Sequence, residues 1–163
     1  MIREYQAEDL EDVLMAWEAA SVVAHPFLSA EFLAVERNNI VNVYLPSAET
    51  WVWESEDRVV GFISLLGNEV GGIFVDPKFH GVGIGRALMD HARGLREELE
   101  VEVFKANVLG RAFYARYGFV LMQEKVHEET GLDVMRLKLA ANTPHKEDCD
   151  SDGQNDIGST NVR

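Results

Sequence analysis

Cysteine is almost missing from this chain: among 163 residues there is only Cys149. A lone thiol closes no internal disulfide and builds no cysteine metal cluster, which suits a reducing compartment and leads to the expectation of a cytoplasmic protein. Basic residues are also few. Lys and Arg number 15 against 28 Asp and Glu, a formal net charge of −13. Such a surface repels phosphate backbones, which argues against nucleic acid as a partner and favours amines, basic peptides and polyamines. No stretch of about 18 apolar residues occurs, so no membrane-spanning helix is expected. Met1-Ile2-Arg3-Glu4 has an early acid and no apolar segment, and is not read as a secretory signal.

What is present is ordinary globular composition, 47% apolar and 26% charged, at a length that suits one folded domain. The folded part is expected over residues 1–141. From 142 to 163 five acids face Lys146 and Arg163 with almost no large apolar residue, so this segment is read as a disordered acidic tail.

Residues 1–141 read as mixed α/β. Ile2–Tyr5 is a short strand. Leu10, Val13, Leu14 and Trp17 recur at helical spacing over about Glu8 to Val23, and His25-Pro26 ends that helix. Ser29 caps a second helix through about Tyr44. Trp51–Glu54 and Arg58–Leu66 form a hairpin across Glu56-Asp57, the second strand being almost continuously apolar and hence buried on both faces. Val70–Val75 follows as a strand. A glycine-rich loop then enters a helix on which Ile84, Leu88, His91 and Leu95 share a face. Leu99 to Val103 is a strand, Leu109 to Tyr117 a short helix, and Phe119–Gln123 and Leu132–Leu139 close the sheet.

The sharpest chemical signal is His80-Gly81-Val82-Gly83-Ile84-Gly85-Arg86 between strand and helix. Glycines at alternate positions let successive amides turn outward. A helix beginning there adds unpaired N–H groups and the positive end of its dipole, and Arg86 adds a full charge. The product is an anion site suited to a phosphate or pyrophosphate. The Walker loop's Gly-Lys-Ser/Thr is absent, and Arg86 stands where a dinucleotide fingerprint needs its third glycine. A glycine turn without a ligand is the alternative.

A second constellation is Asn107, then Tyr114 seven residues later, then Gly118-Phe119. With the glycine loop before it, the chain resembles the GNAT superfamily of acetyl-CoA-dependent N-acetyltransferases. The loop is similar to that family's Arg/Gln-x-x-Gly-x-Gly/Ala signature, and the second group to its Asn and Tyr-x-x-x-Gly-Phe signature. His80 departs from the usual Arg or Gln, which implies at most weakened cofactor affinity. Gly110 stands where a small residue, often Ala, is usual. Trp51-Val52-Trp53-Glu54, His25-Pro26-Phe27 and Glu128-Glu129-Thr130 further resemble segments of the small bacterial YiaC-type acetyltransferases. Some of that group are assigned protein-lysine acetylation.

The resemblance implies an α/β fold with a mixed, mainly antiparallel sheet, splayed fourth and fifth strands, and flanking helices. It implies acetyl-CoA held by Phe74, Val75, Gly81, Val82, Gly83, Ile84, Gly85, Arg86 and Asn107, and no metal. Tyr114 matches the family's general acid. A departing thiolate, whose conjugate acid has an ordinary pKa of ~8.5, takes a proton from a phenol of ~10 at little cost. Tyr117 is read as packing. The attacking amine must be neutral, and a lysine at ~10.4 pays ~4.6 kcal/mol for that at neutral pH. Glu102 is the candidate base, matching a family position, with an exposed strand acid as the alternative; Glu69 and His25 are weaker candidates. His91, Trp51 and Trp53 are read as packing residues, with a pocket wall as the alternative for the tryptophans. His127, Glu128 and Glu129 are read as a solvated loop that could meet a cationic acceptor.

The expected reaction is direct acetyl transfer in a ternary complex, because no cysteine lies near the motifs to carry the acetyl group. The expected acceptor is a protein amine, either lysine or an N-terminus. A small amine such as a polyamine, amino acid or amino sugar, and a non-catalytic acyl-CoA sensor, are the alternatives. A monomer or a homodimer is compatible with this reading.

Overall fold

The sheet grows outward from a hairpin. In the computed structural model, which describes residues 1–141, β1 (Ile2–Glu4) and β3 (Arg58–Leu66) flank β2 (Glu49–Ser55) in antiparallel register. The turn joining β2 to β3 holds Glu56 and Asp57 at φ of 52° and 62°. Two successive positive φ values match the strands' right-handed twist, and Asp tolerates the left-handed region better than most side chains. β4 (Glu69–Val75) adds antiparallel to β3, with an irregularity between Ser64 and Leu65. β3 is buried at seven successive positions, Val59 to Leu65, as its unbroken apolar run requires.

Two helices cover one face. α1 (Leu10–Ala24) follows a 3-10 turn at Ala7–Asp9 and buries Val13, Leu14, Trp17 and Ala20 against Val52, Phe62 and Phe74. The His25 amide closes it on the Ser21 carbonyl at 2.8 Å. α2 (Ala30–Asn39) starts where the Ser29 hydroxyl accepts the Phe32 amide at 3.1 Å. It does not run evenly to Tyr44: Ile40–Tyr44 is a π-helical stretch, followed by one α turn at Leu45–Ser47. Such bulges are frequent at functional sites, and nothing in the capping pattern announces one.

The opposite face carries α3 (Ile84–Leu95). Its buried side is Ile84, Gly85, Leu88, Met89 and Ala92. Leu95, read from the sequence as part of that side, is the last residue of the helix and is 39% exposed. Leu88 and Met89 are wholly buried, and each such side chain contributes about 1.5–3 kcal/mol of hydrophobic stabilisation. β5 (Leu99–Phe104), α4 (Val108–Tyr117), β6 (Val120–Val126) and β7 (Asp133–Leu139) complete the chain, giving the strand order β1-β2-β3-β4-β5-β7-β6.

One pairing positions the site. β4 and β5 are the parallel pair in an otherwise antiparallel sheet, and they pair only at Glu69↔Glu100 and Val70↔Val101. Beyond Val70 the two strands diverge, while β4 stays registered with β3 as far as Val75. The mixed α/β fold with splayed fourth and fifth strands is therefore present as expected. The segment from 142 onward, with its expected disorder, lies outside the described residues.

Candidate active site

The glycine loop opens at the end of β4. His80 donates from Nε2 to the Val75 carbonyl at 2.8 Å, tying the loop to the strand it leaves. The residue that departs from the expected Arg or Gln thus has a defined structural use. Gly81 and Gly83 sit at φ of 78° and 86°, a conformation that L side chains rarely adopt. A Cβ at either position would meet nothing within 4 Å, so the space before the loop is open. The first bond closing α3 runs from the Ala87 amide to the Gly83 carbonyl at 3.0 Å. Among the turn and loop bonds of the described residues, none is donated by the amides of residues 81–86. Those donors, running from the exposed Gly81 and Val82 into the first turn of α3, fit a diphosphate.

Phe74 and Val75 end β4 and are buried, 5% and 1% exposed. Their backbone borders the gap left by the splay. Tyr114 lies on α4 with its ring fully buried, in edge contact with Phe113 and Phe119 at 5.4 Å each. It belongs to the same buried cluster as Val75 and Ile84, the residues that precede and follow the loop. Its hydroxyl is screened from solvent. Tyr117 points elsewhere. It donates to Asp90 at 2.6 Å, and burial together with that carboxylate pushes its pKa well above the ordinary range. The packing role read for it holds.

Asn107 has a use that sequence reasoning missed. Its Oδ1 caps α4 by accepting the Gly110 amide at 2.9 Å, and its Nδ2 donates toward His25 Nε2 at 3.4 Å. His25, 6% exposed, therefore joins the end of α1 to the start of α4.

A cleft of about 260 Å³ lies on the α1–α2 side of the splay. Its walls include Phe32, Phe62, Phe74 and Phe104. Alternation on β5 sends Val101 and Val103 inward and Glu102 to the other face, and Glu102 lines this cleft as the spacing required. Its Oε2 lies 3.0 Å from Lys125 Nζ and 3.7 Å from Arg136 Nη1. Arg136 also reaches Glu100 at 3.0 Å and Glu69 at 3.5 Å, and these carboxylates raise its pKa further, Glu100 most.

The weaker candidates divide. His25, Glu69, His127 and Glu129 line the cleft, whereas Trp51 and Trp53 do not. Trp51 instead contacts His91 at a centroid distance of 4.2 Å and packs with Trp53 on the core beneath α3. His127 is more than a solvated loop residue: its ring meets Phe32 and Phe104, and Nδ1 bonds Thr130 Oγ1 at 3.0 Å. Ser21, Glu36, Gly71 and Gly72, which no motif in the sequence marks as a group, line the cleft too. Gly-Gly within a strand was the available signal, since it marks a close approach or an irregular pairing.

A sheet split between a parallel pair, with a glycine loop crossing onto a helix at the split, is the arrangement that the resemblance to acetyl-CoA-dependent N-acetyltransferases implies. Comparison with known proteins gives the family: residues 46–121 match the acetyltransferase (GNAT) domain. The chain is 34% identical over 140 residues to the peptidyl-lysine N-acetyltransferase YjaB of Escherichia coli K12, covering 85% of this chain and 95% of that one. It is 33% identical over 133 residues to the peptidyl-lysine N-acetyltransferase YiaC of the same organism, covering 81% and 91%. The solution structure of apo YjaB superposes with a TM-score of 0.76 at 31% identity, over 86% of this chain and 98% of that one. A PaiA N-acetyltransferase from Thermoplasma acidophilum in complex with coenzyme A shares the fold, with a TM-score of 0.66 at 19% identity over 85% and 98%.

This protein belongs to the GNAT family and is an acetyl-CoA-dependent N-acetyltransferase. No helix among the described residues is long and apolar enough to cross a membrane.

Proposed function

We propose that this enzyme acetylates the side-chain amine of protein lysines, and that the cleft beside the splayed strands receives that side chain. The observation that carries the reading is the cleft's lining: aromatic walls and four carboxylates, with no lysine or arginine. A lysine's methylene stem packs on such walls while its ammonium is drawn in by the carboxylates. The naming of both relatives as peptidyl-lysine N-acetyltransferases supports the same acceptor.

Bound acetyl-CoA supplies an activated acetyl thioester. The amides of Gly81, Val82, Gly83, Ile84, Gly85 and Arg86 would hold its diphosphate, and Asn107 would position the pantetheine arm. A main-chain N–H at Phe74 or Val75 would bond the acetyl oxygen as charge develops there, a contribution of about 2.7–4 kcal/mol for such donors. Glu102 takes the proton from the incoming ammonium, directly or through a water in the cleft. Tyr114 Oη gives a proton to the departing sulfur, from a ring that excludes water. As that happens the neutral amine nitrogen bonds the acetyl carbon, the carbon–sulfur bond breaks, and the nitrogen's second proton passes through water to the Tyr114 phenolate; no acyl-enzyme forms.

The test is thiol release from acetyl-CoA with lysine peptides, free amino acids, amino sugars and spermidine as acceptors, with mass spectrometry to place the acetyl group. Lysine peptides are expected to give the highest kcat/KM with modification on Nζ. Turnover confined to the small amines, or modification only at peptide N-termini, would overturn the reading.

A further inference from the structure

The four carboxylates of the cleft are not equivalent. Glu69 and Glu102 are met by cations outside the lining, Glu69 by Arg136 at 3.5 Å and Glu102 by Lys125 at 3.0 Å. Glu36 and Glu129 have no ion-pair partner among the described residues. Glu36 accepts a long bond from the Tyr44 hydroxyl at 3.4 Å, from the π-helical stretch that carries α2 past the cleft. Glu129 is exposed at the loop between β6 and β7.

An independent feature lies in the same cleft. Ser21 is 2% exposed, lines the cleft from α1, and its hydroxyl has no hydrogen-bond partner. A serine within a helix commonly bonds back to the carbonyl one turn earlier. Here it does not, so the hydroxyl is left for a polar atom brought by an occupant.

The charge arithmetic then selects the occupant. The reacting amine must give up its proton before it attacks, so it does not balance Glu36 and Glu129 at the moment of reaction. A second, fixed cation keeps its charge through the reaction and offsets one of those two charges. We infer that the cleft recognises a lysine accompanied by a second basic side chain in the same peptide, with Glu36 and Glu129 holding that second cation and Ser21 Oγ bonding an N–H of the acceptor. This deepens the proposed lysine acetylation and rests on it.

The experiment compares three peptides that differ only beside a single lysine, flanked by alanine, arginine or glutamate. The order of kcat/KM is expected to be arginine above alanine above glutamate, with about tenfold between the extremes, and to flatten as ionic strength rises. In the E36Q/E129Q double variant the arginine-to-alanine ratio falls to about one, and E36D/E129D restores part of it. Ser21→Ala raises KM for every peptide by about three- to tenfold. Equal kcat/KM for all three peptides, or a ratio that survives in the double variant, overturns the inference while leaving lysine acetylation intact. Absence of turnover with every lysine peptide, alongside turnover of spermidine, overturns lysine acetylation itself. Wild-type salt dependence supplies the first test without any variant.

Discussion

The two halves of the proposed active site are made of different materials. The acetyl-CoA half, from the end of β4 through the loop into α3, presents backbone amides from Gly81 to Arg86, two of them on glycines at positive φ. The acceptor half is built from side chains that converge from α1, α2, β3, β4, β5 and a loop before β7. A backbone-built site depends on conformation, so one glycine can undo it. A side-chain-built site spreads its binding over many contacts, and each loss is smaller. The contrast also fits the chemistry, since the donor is one fixed molecule whereas the proposed protein acceptors vary.

The comparison is tested most severely at the loop. Gly83→Asp puts a carboxylate at an anion site and a Cβ at φ of 86°, and should weaken coenzyme A binding by about a hundredfold or more in calorimetry. Near-normal affinity would remove the loop from the site. Tyr114→Phe should lower kcat by about a hundredfold with little change in coenzyme A affinity, since only proton delivery to the sulfur is lost. Full activity in single-turnover measurements would exclude the phenol as the acid. Glu102→Gln belongs to the acceptor half and should cost about tenfold in kcat/KM while altering the basic limb of the pH–rate profile; an unchanged profile would assign the base elsewhere.

A smaller effect is expected where the halves meet. A Cβ on Gly72 would fall 2.7 Å from the Phe74 ring, which is buried and has little room to turn. Gly72→Ala should raise the acceptor KM several-fold and cost about 1–3 kcal/mol in denaturant melts. An unaltered KM would show that this part of β4 does not shape the cleft.

The smallest effect on activity is expected far from both halves. Asp9 is paired with Arg3 through two 2.8 Å bonds and also accepts the Gln6 amide at 2.8 Å. The Arg3 bond holds its pKa below the ordinary carboxylate value. A depressed folded-state pKa means that this stabilisation is present above the unfolded value of ~3.9 and is lost as pH falls through the folded value. Asp9→Asn should therefore cost about 1.5–3 kcal/mol at neutral pH, with the difference from wild type shrinking in acid, and leave turnover unchanged. A pH-independent difference would assign the loss to packing instead.

The order of elements was legible because each rests on local chemistry. The Ser29 cap, the Glu56-Asp57 turn and the unbroken apolar run of β3 need only neighbours in sequence. The π-helical stretch at Ile40–Tyr44 was not, since it interrupts a helical pattern without a proline or glycine to mark it. Asn107 was read as a ligand-facing residue, and its cap on Gly110 and bond to His25 emerge only when the ends of α1 and α4 meet, 82 positions apart.

By itself the sequence determined the strands and helices, the glycine loop and the positions of Tyr114 and Glu102 along the chain. These follow from backbone conformational preference and hydrophobic periodicity, which act over a few residues. Only the tertiary structure decided where β4 and β5 part, which acids face the cleft, and that Ser21, Glu36 and Glu129 share it. Side chains from distant segments become neighbours through packing of the whole core, and no local pattern along the chain records that distance.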